Sequence, residues 1–422
     1  MLYGKTGRGL RYAVKRSGSA VAYCALSIKC GTRDEAGYNS GIAHFTEHTI
    51  FKGTAKKSAS VINGYLDRLG GELNAYTTKE EIVLHATVLR EDLPKAANLL
   101  FELATSATFP ENEINIEKGV VTDEINSYKD SPSEDIYDKF EEMLFEGHPL
   151  SSPILGTAAS VKKIRRSELL DFTSRKFVPE RMAFSIVADI DEKKMEKFVS
   201  SLASRWFPGD DGTCTDSAGE GTDGYAPASA PEYRKPDPVI FDKTVNKKNH
   251  QVNCVTGHLA PSLYEEKERI ATIIMCNILG GPANNSILNY KLREKNGWVY
   301  WVECNYTQYS DCGIVAVCLG CDKDNLDKCT KAIGKEIRKL QSELLSPSRL
   351  AAAKKQFLGQ MAISSDNGET QCLAMGKSLL AYGQVMSDES TREKIEAVSA
   401  EDIREAARNV FDENHLCRLV FL

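Results

Sequence analysis

Apolar residues recur along this chain with two periods that alternate. Val21-Ala-Tyr-Cys-Ala-Leu-Ser-Ile28 and Ile82-Val-Leu-His-Ala-Thr-Val-Leu89 are apolar-rich runs of strand length. Gly313-Ile-Val-Ala-Val-Cys-Leu319 reads the same way. Between such runs lie helical patterns, notably after Gly41, after Pro110 and after Pro347, a residue type that starts helices well. The acidic run from Glu134 to Glu146 reads as one solvated helix face, with an acidic wall that attracts basic partners as the alternative. Connections vary in length, so the expected class is α+β, with largely antiparallel sheets flanked by helices.

The chain also reads as a diverged duplication. Leu66-Asp-Arg-Leu-Gly-Gly71 lines up with Leu292-Arg-Glu-Lys-Asn-Gly297, each closing a helix before a strand. Phe109-Pro110 and its helical pattern line up with Leu345-Ser-Pro347 and another. Between the halves, residues 208–238 are rich in Gly, Pro, Asp and Ser and have almost nothing to bury. The expected organisation is a first half over 1–207, a linker over 208–238 and a second half over 239–422.

Composition changes this picture little. At 422 residues the chain has room for two or three domains, and 42% hydrophobic with 27% charged residues describes a soluble globular protein. A net charge of −6 offers no footprint for nucleic acid or an anionic membrane. No apolar run approaches the roughly 18 residues of a membrane span. The first ten residues lack the apolar core of a secretory signal, which predicts a cytoplasmic protein. Twelve cysteines are too dilute for a disulfide scaffold, and Cys318-Leu-Gly-Cys321 reads as buried thiols on a strand running into a turn rather than as half of a metal knuckle.

The chemistry lies in Gly41-Ile-Ala-His-Phe-Thr-Glu-His-Thr-Ile-Phe-Lys-Gly-Thr54. On a helix His44 and His48 sit roughly 40° apart, so two imidazoles can converge on one Zn²⁺. Glu47, about 60° to the other side of His44, can reach a water on that metal without ligating it. This is His-x-x-Glu-His, the inverse of the commoner zinc helix. The bland alternative is three polar residues on an exposed helix face. Seven histidines in the whole chain make that coincidence improbable. A catalytic zinc needs a third protein ligand, and Glu117 and Glu124, seven apart after the Pro110 start, share a helix face to within about 20°. Either is a candidate. Carboxylates on a stripe shared with Val121 are costly unless a cation compensates them.

His44-Phe-Thr-Glu-His48, Phe51-Lys-Gly-Thr54, Gly70-Gly-Glu-Leu-Asn-Ala-Tyr-Thr77 and Glu117-Lys-Gly-Val-Val-Thr-Asp-Glu124 together resemble the pitrilysin family of inverse-motif zinc peptidases. The match is with its short two-domain branch, to which the mitochondrial processing peptidase β subunit and bacterial relatives belong. The separation of 76 positions from His48 to Glu124 suits that branch, and Leu279-Gly-Gly-Pro282, Leu292–Tyr300 and Tyr309–Gly313 extend the likeness through the second half. Thr46, Trp298-Val299 and Pro282 depart from the family pattern, which bears on pocket shape and not on the ligands.

The resemblance implies one Zn²⁺ per chain held by His44, His48 and Glu124, with Glu47 as general base and Glu117 supporting the site from the outer shell. It implies that Arg293 and Tyr300 contact substrate and steady the reacting carbonyl, and that peptides add as a strand alongside Asn74 and Ala75. Setting Pro110 against Pro347 puts Lys354 and Met361 where the two glutamates stand, so the second half holds no metal and closes a chamber. The implied activity is a zinc endopeptidase acting on unfolded or presequence-like peptides. The implied working unit is a homodimer in which Arg293 and Tyr300 serve the partner's zinc. Two rivals remain: a non-catalytic peptide-binding subunit, and an active chain that needs a different, degraded partner subunit.

Overall fold

The computed structural model describes residues 1–210, 212–216, 233–247 and 250–422. They form two compact units, each an α+β sandwich of one sheet and its helices. The first unit holds Met1–Ile125, the described residues from Ser152 to Asp216, and Ile363–Met386.

Its sheet has seven strands: β1 (Leu2–Thr6), β2 (Arg11–Arg16), β3 (Val21–Ile28), β4 (Glu72–Thr77), β5 (Ile82–Leu89), β6 (Met182–Ala188) and β7 (Cys214–Asp216), in the order β4-β5-β3-β6-β2-β1-β7. Every pair is antiparallel except β2 with β6. The strand alternation of β3 and β5 serves two buried faces. Cys24, Leu26, Leu84 and Ala86 join the core under helices α1 (Ile42–Ile50), α2 (Ala59–Asp67) and α3 (Leu93–Ser106). Ala25 and Val83 point the other way, to Cys372, Met375 and Leu379 of the helix Gly368–Tyr382. That helix lies close to the sheet, since a Cβ on Gly376 would come within 2.5 Å of Ser27 Oγ.

The helix α4 (Glu111–Lys129) starts in the first unit and ends at the second, and α5 (Pro132–Leu144) belongs wholly to the second. The second unit comprises Asn126–Ser151, the described residues from Tyr233 to Ala362, and Ser387–Leu422. Its five strands, β8 (Asp242–Val245), β9 (Val252–Ala260), β10 (Val299–Gln308), β11 (Gly313–Cys321) and β12 (Cys417–Phe421), run in the order β10-β11-β9-β12-β8. Only β8 with β12 is parallel. One face packs on the helices Glu266–Gly280, Leu326–Ser342 and Ala400–Val410, the other on Ile136, Phe140 and Leu144 of α5.

Three expectations need correction. The units are not the unbroken stretches 1–207 and 239–422, because each takes a helix from the opposite half of the sequence. The stretch 208–238 is not a linker throughout: Cys214–Asp216 forms β7 against β1, and 217–232 lie outside the described residues. The acidic helix α5 is not merely solvated, since Asp135 and Glu141 are buried and paired, with Lys247 Nζ at 2.6 Å and the Tyr309 hydroxyl at 2.7 Å. Cys318 and Cys321 are buried free thiols, as expected, both within β11.

Candidate metal centre

Three elements of the first unit build the site. α1 is anchored before its first turn, where Gly41 adopts φ 89°, a left-handed conformation that favours glycine. A Cβ there would also come within 2.8 Å of the Leu155 carbonyl oxygen. The cap is remote: Glu35 accepts the backbone N–H of Gly41 at 2.9 Å and of Ala43 at 3.0 Å, placing a carboxylate at the helix N-terminus. Burial outweighs these bonds and lifts the Glu35 carboxyl to about 7. Ile42, Ala43, Phe45 and Ile50 are buried in the core, and one side of the helix is left to His44, Glu47 and His48.

Facing that side is α4, which buries Ile114, Val121 and Ile125 and turns Glu117 and Glu124 toward α1. His48 Nε2 lies 3.3 Å and His44 Nε2 3.8 Å from Glu124 Oε2. The donor atoms of His44, His48 and Glu124 all fall within 4.8 Å of one another. Ligands about 2.0–2.1 Å from a tetrahedral zinc stand about 3.3 Å apart, so the spacing suits that ion. His44 Nδ1 and Glu124 Oε2 are buried without a hydrogen-bond partner among the described residues. A carboxylate oxygen aimed at two imidazole nitrogens, with no donor of its own, is what a divalent cation satisfies. The residues fit Zn²⁺.

The surroundings tune these groups. Burial, then the neighbouring His48, push the His44 imidazole down to about 3, so it stays neutral and free to ligate. Burial pulls His48 down as well, but the hydrogen bond to Glu117 and the charges of Glu124 and Glu47 together raise it. His48 Nδ1 stands 2.9 Å from Glu117 Oε1, and Lys52 Nζ stands 2.7 Å from Glu117 Oε2. Burial acts upward on Glu117, yet His48 and Lys52 overcome it and hold the carboxyl low. Glu47 is raised by burial, against the Thr77 hydroxyl that donates to its Oε2 at 2.7 Å.

His44, Glu47, His48, Glu117 and Glu124 therefore come together. Beside them β4 carries Asn74 and Ala75, paired with His85 and Leu84 on one edge, while β4 is the terminal strand of the sheet on the other. Arg293 and Tyr300 stand in the second unit. Arg293 is on a π-helical turn (Asn289–Glu294), donating to Asn284 Oδ1 at 2.7 Å, and the Tyr300 hydroxyl on β10 donates to Asp322 Oδ1 at 2.9 Å. Lys354 and Met361 lie on the helix Pro347–Ser365, where Met361 packs against the core of the second unit. Sequence reasoning gave no role to Lys52, Thr77 or Glu35. Lys52 alone had a signal, being one further turn along from His48.

Fold and site define a two-unit α+β protein with an inverted His-x-x-Glu-His metal helix. The family profile described as Insulinase (Peptidase family M16) matches residues 11–158, and that of the Peptidase M16 inactive domain matches 163–357. An uncharacterized zinc protease of Bacillus subtilis, YmxG, is 28% identical over 393 residues, covering 93% of this chain and 91% of its own length. An uncharacterized zinc protease of Streptomyces coelicolor is 27% identical over 380 residues, covering 90% and 80%. Among solved structures, a protease from Helicobacter pylori superposes with a TM-score of 0.86 at 19% identity, over 99% of this chain and 98% of that one. The structure of a peptidase M16 inactive domain from Pseudomonas fluorescens superposes with a TM-score of 0.85 at 17% identity, over 99% of this chain and 97% of that one. The chain belongs to the M16 peptidase family, the family of pitrilysin and insulinase.

Proposed function

We propose that this protein is a zinc-dependent endopeptidase that hydrolyses unfolded or presequence-like peptides in a chamber, with one zinc ion per chain. The observation that carries the reading is the convergence of His44, His48 and Glu124 donor atoms within 4.8 Å, with Glu47 beside them. A zinc ion held by His44, His48 and Glu124 would supply a Lewis acid for the scissile carbonyl and would lower the pKa of a water at its open position to about 7.

The remaining steps belong to the chain. Glu117 accepts from His48 Nδ1–H, which fixes the tautomer that leaves Nε2 free to ligate. Glu47 takes the proton of the attacking water and delivers it to the leaving amine, a service worth typically about 10²–10⁴-fold. The peptide lies along β4 as an added strand beside Asn74 and Ala75, recognised through its backbone. Arg293 and Tyr300 donate to the developing oxyanion or to the peptide beyond it. The second half, which lacks the ligands, encloses the substrate.

The test is zinc content together with chelator-sensitive cleavage of an unfolded casein substrate. About one zinc per chain and cleavage lost on chelation are expected; full cleavage by metal-free protein would end the proposal. A non-catalytic peptide-binding subunit would bind the substrate and leave it intact. We further propose a homodimer in which Arg293 and Tyr300 serve the partner's site. Mixed dimers of Glu47→Gln and Tyr300→Phe chains should then regain activity, and their failure to do so would refute it.

A further inference from the structure

We propose that Thr77 is a positioning residue for Glu47, so that the strand receiving the peptide also sets the geometry of the base. This inference rests on the endopeptidase reading above and deepens it. Thr77 is the last residue of β4. Its hydroxyl donates to Glu47 Oε2 at 2.7 Å, the hydrogen bond that engages the Glu47 carboxylate among the described residues.

Two consequences follow from the chemistry of that bond. A carboxylate has two oxygens, and a donor fixed on Oε2 leaves Oε1 as the one free to accept a proton. When water loses a proton, its O–H bond breaks and an O–H bond forms at Oε1. Oε2 then becomes the carbonyl oxygen of the acid and still accepts from Thr77. When the proton passes from Oε1 to the leaving nitrogen, the original carboxylate returns. The Thr77 bond survives both transfers, so the base need not be realigned during the cycle.

The second consequence comes from the strand. Side chains alternate along β4: Ala75 packs with the core that includes α1, and Tyr76 packs with the cluster around the helix Gly368–Tyr382. Thr77 follows Ala75 to the α1 face. Among the described residues β4 is hydrogen-bonded to a strand on one edge only, to β5, in register through Thr77 opposite Ile82. A peptide added on the free edge supplies a second ladder and restrains the strand that carries Thr77. The strand that receives the peptide and the residue that orients Glu47 thereby belong to one element.

Thr77→Val removes the hydroxyl at nearly constant shape, and Thr77→Ser keeps it. A hydrogen bond to a charged group predicts that Thr77→Val lowers kcat about 10–100-fold with KM within about twofold, and that Thr77→Ser restores most of the rate. Zinc content and melting temperature should match the parent. Fluorescence anisotropy should find the same peptide affinity in Glu47→Gln and in Glu47→Gln/Thr77→Val. The second substitution should also add nothing to the residual rate of the first. An unchanged kcat in Thr77→Val, a rise in KM alone, no rescue by serine, or a further rate loss in the double variant would each overturn the inference. If Thr77→Val behaves as the parent while Glu47→Gln is inactive, this inference fails and the endopeptidase reading stands. Full turnover by Glu47→Gln would instead remove the base itself.

Discussion

Nδ1 of His48 lies 2.9 Å from Oε1 of Glu117, so this histidine is held from behind by a carboxylate that is itself neutralised by Lys52 at 2.7 Å. A ring fixed at Nδ1 presents Nε2 in one orientation. Glu117→Ala is expected to weaken zinc affinity about 10–100-fold, measured by competition with a chromophoric chelator. Glu117→Gln, which keeps an acceptor for Nδ1–H, should lose less. Equal affinity in the parent and the alanine variant would assign Glu117 no part in holding the metal.

Glu47→Gln should leave the fold and bound zinc intact and reduce peptide hydrolysis about 10²–10⁴-fold. Metal analysis and a melting curve accompany the rate measurement, so that loss of base and loss of structure are told apart.

Glu35 gives the first unit a pH dependence of calculable sign. Burial raises its folded-state value from 4.5 to about 7. The unfolded chain therefore releases this proton at lower pH than the folded chain does. Its contribution is fully present below about pH 4.5 and is lost as the pH rises to about 7, a change on the order of 3 kcal/mol. Glu35→Gln removes that slope, at the cost of one of the two backbone bonds at Gly41 and Ala43. Chemical denaturation from pH 4.5 to 7.5 should show parent and variant curves converging or crossing as pH rises; parallel curves would contradict the assignment.

Phe140 on α5 is fully buried in the second unit, although α5 precedes that unit's strands by about a hundred residues. Phe140→Ala should cost about 3–5 kcal/mol. Hydrogen exchange should place the loss in β9, β11 and β12 rather than in β3 and β5. A loss confined to the first sheet would mean that α5 is misassigned.

Much of this was legible beforehand, for definite reasons. β3 and β5 coincide with the runs Val21–Ile28 and Ile82–Leu89, because strands buried on both faces read as nearly continuous apolar stretches. The helices of the metal centre were legible because i,i+4 histidines and i,i+7 glutamates state their faces in sequence. What periodicity cannot state is the partner of a face. α5 announces an apolar stripe, yet nothing local says that it covers the second sheet, or that two of its acids find Lys247 and Tyr309 there. Thr77 and Glu35 escaped notice for the same reason. A lone hydroxyl and a lone carboxylate acquire a role only through contacts 30 and 6–8 residues away in the chain.

The exchanged helices also bear on how the protein is made. Synthesis runs from the N-terminus, and the helix Gly368–Tyr382 that covers Ala13, Ala25, Val83, Ala183 and Val187 comes near the end of the 422 residues. Until then the first sheet waits on the ribosome with one oily side bare, a nascent intermediate of the kind that sticks to its neighbours. Chaperone dependence during translation, rather than fragility of the finished protein, is where this architecture is most exposed.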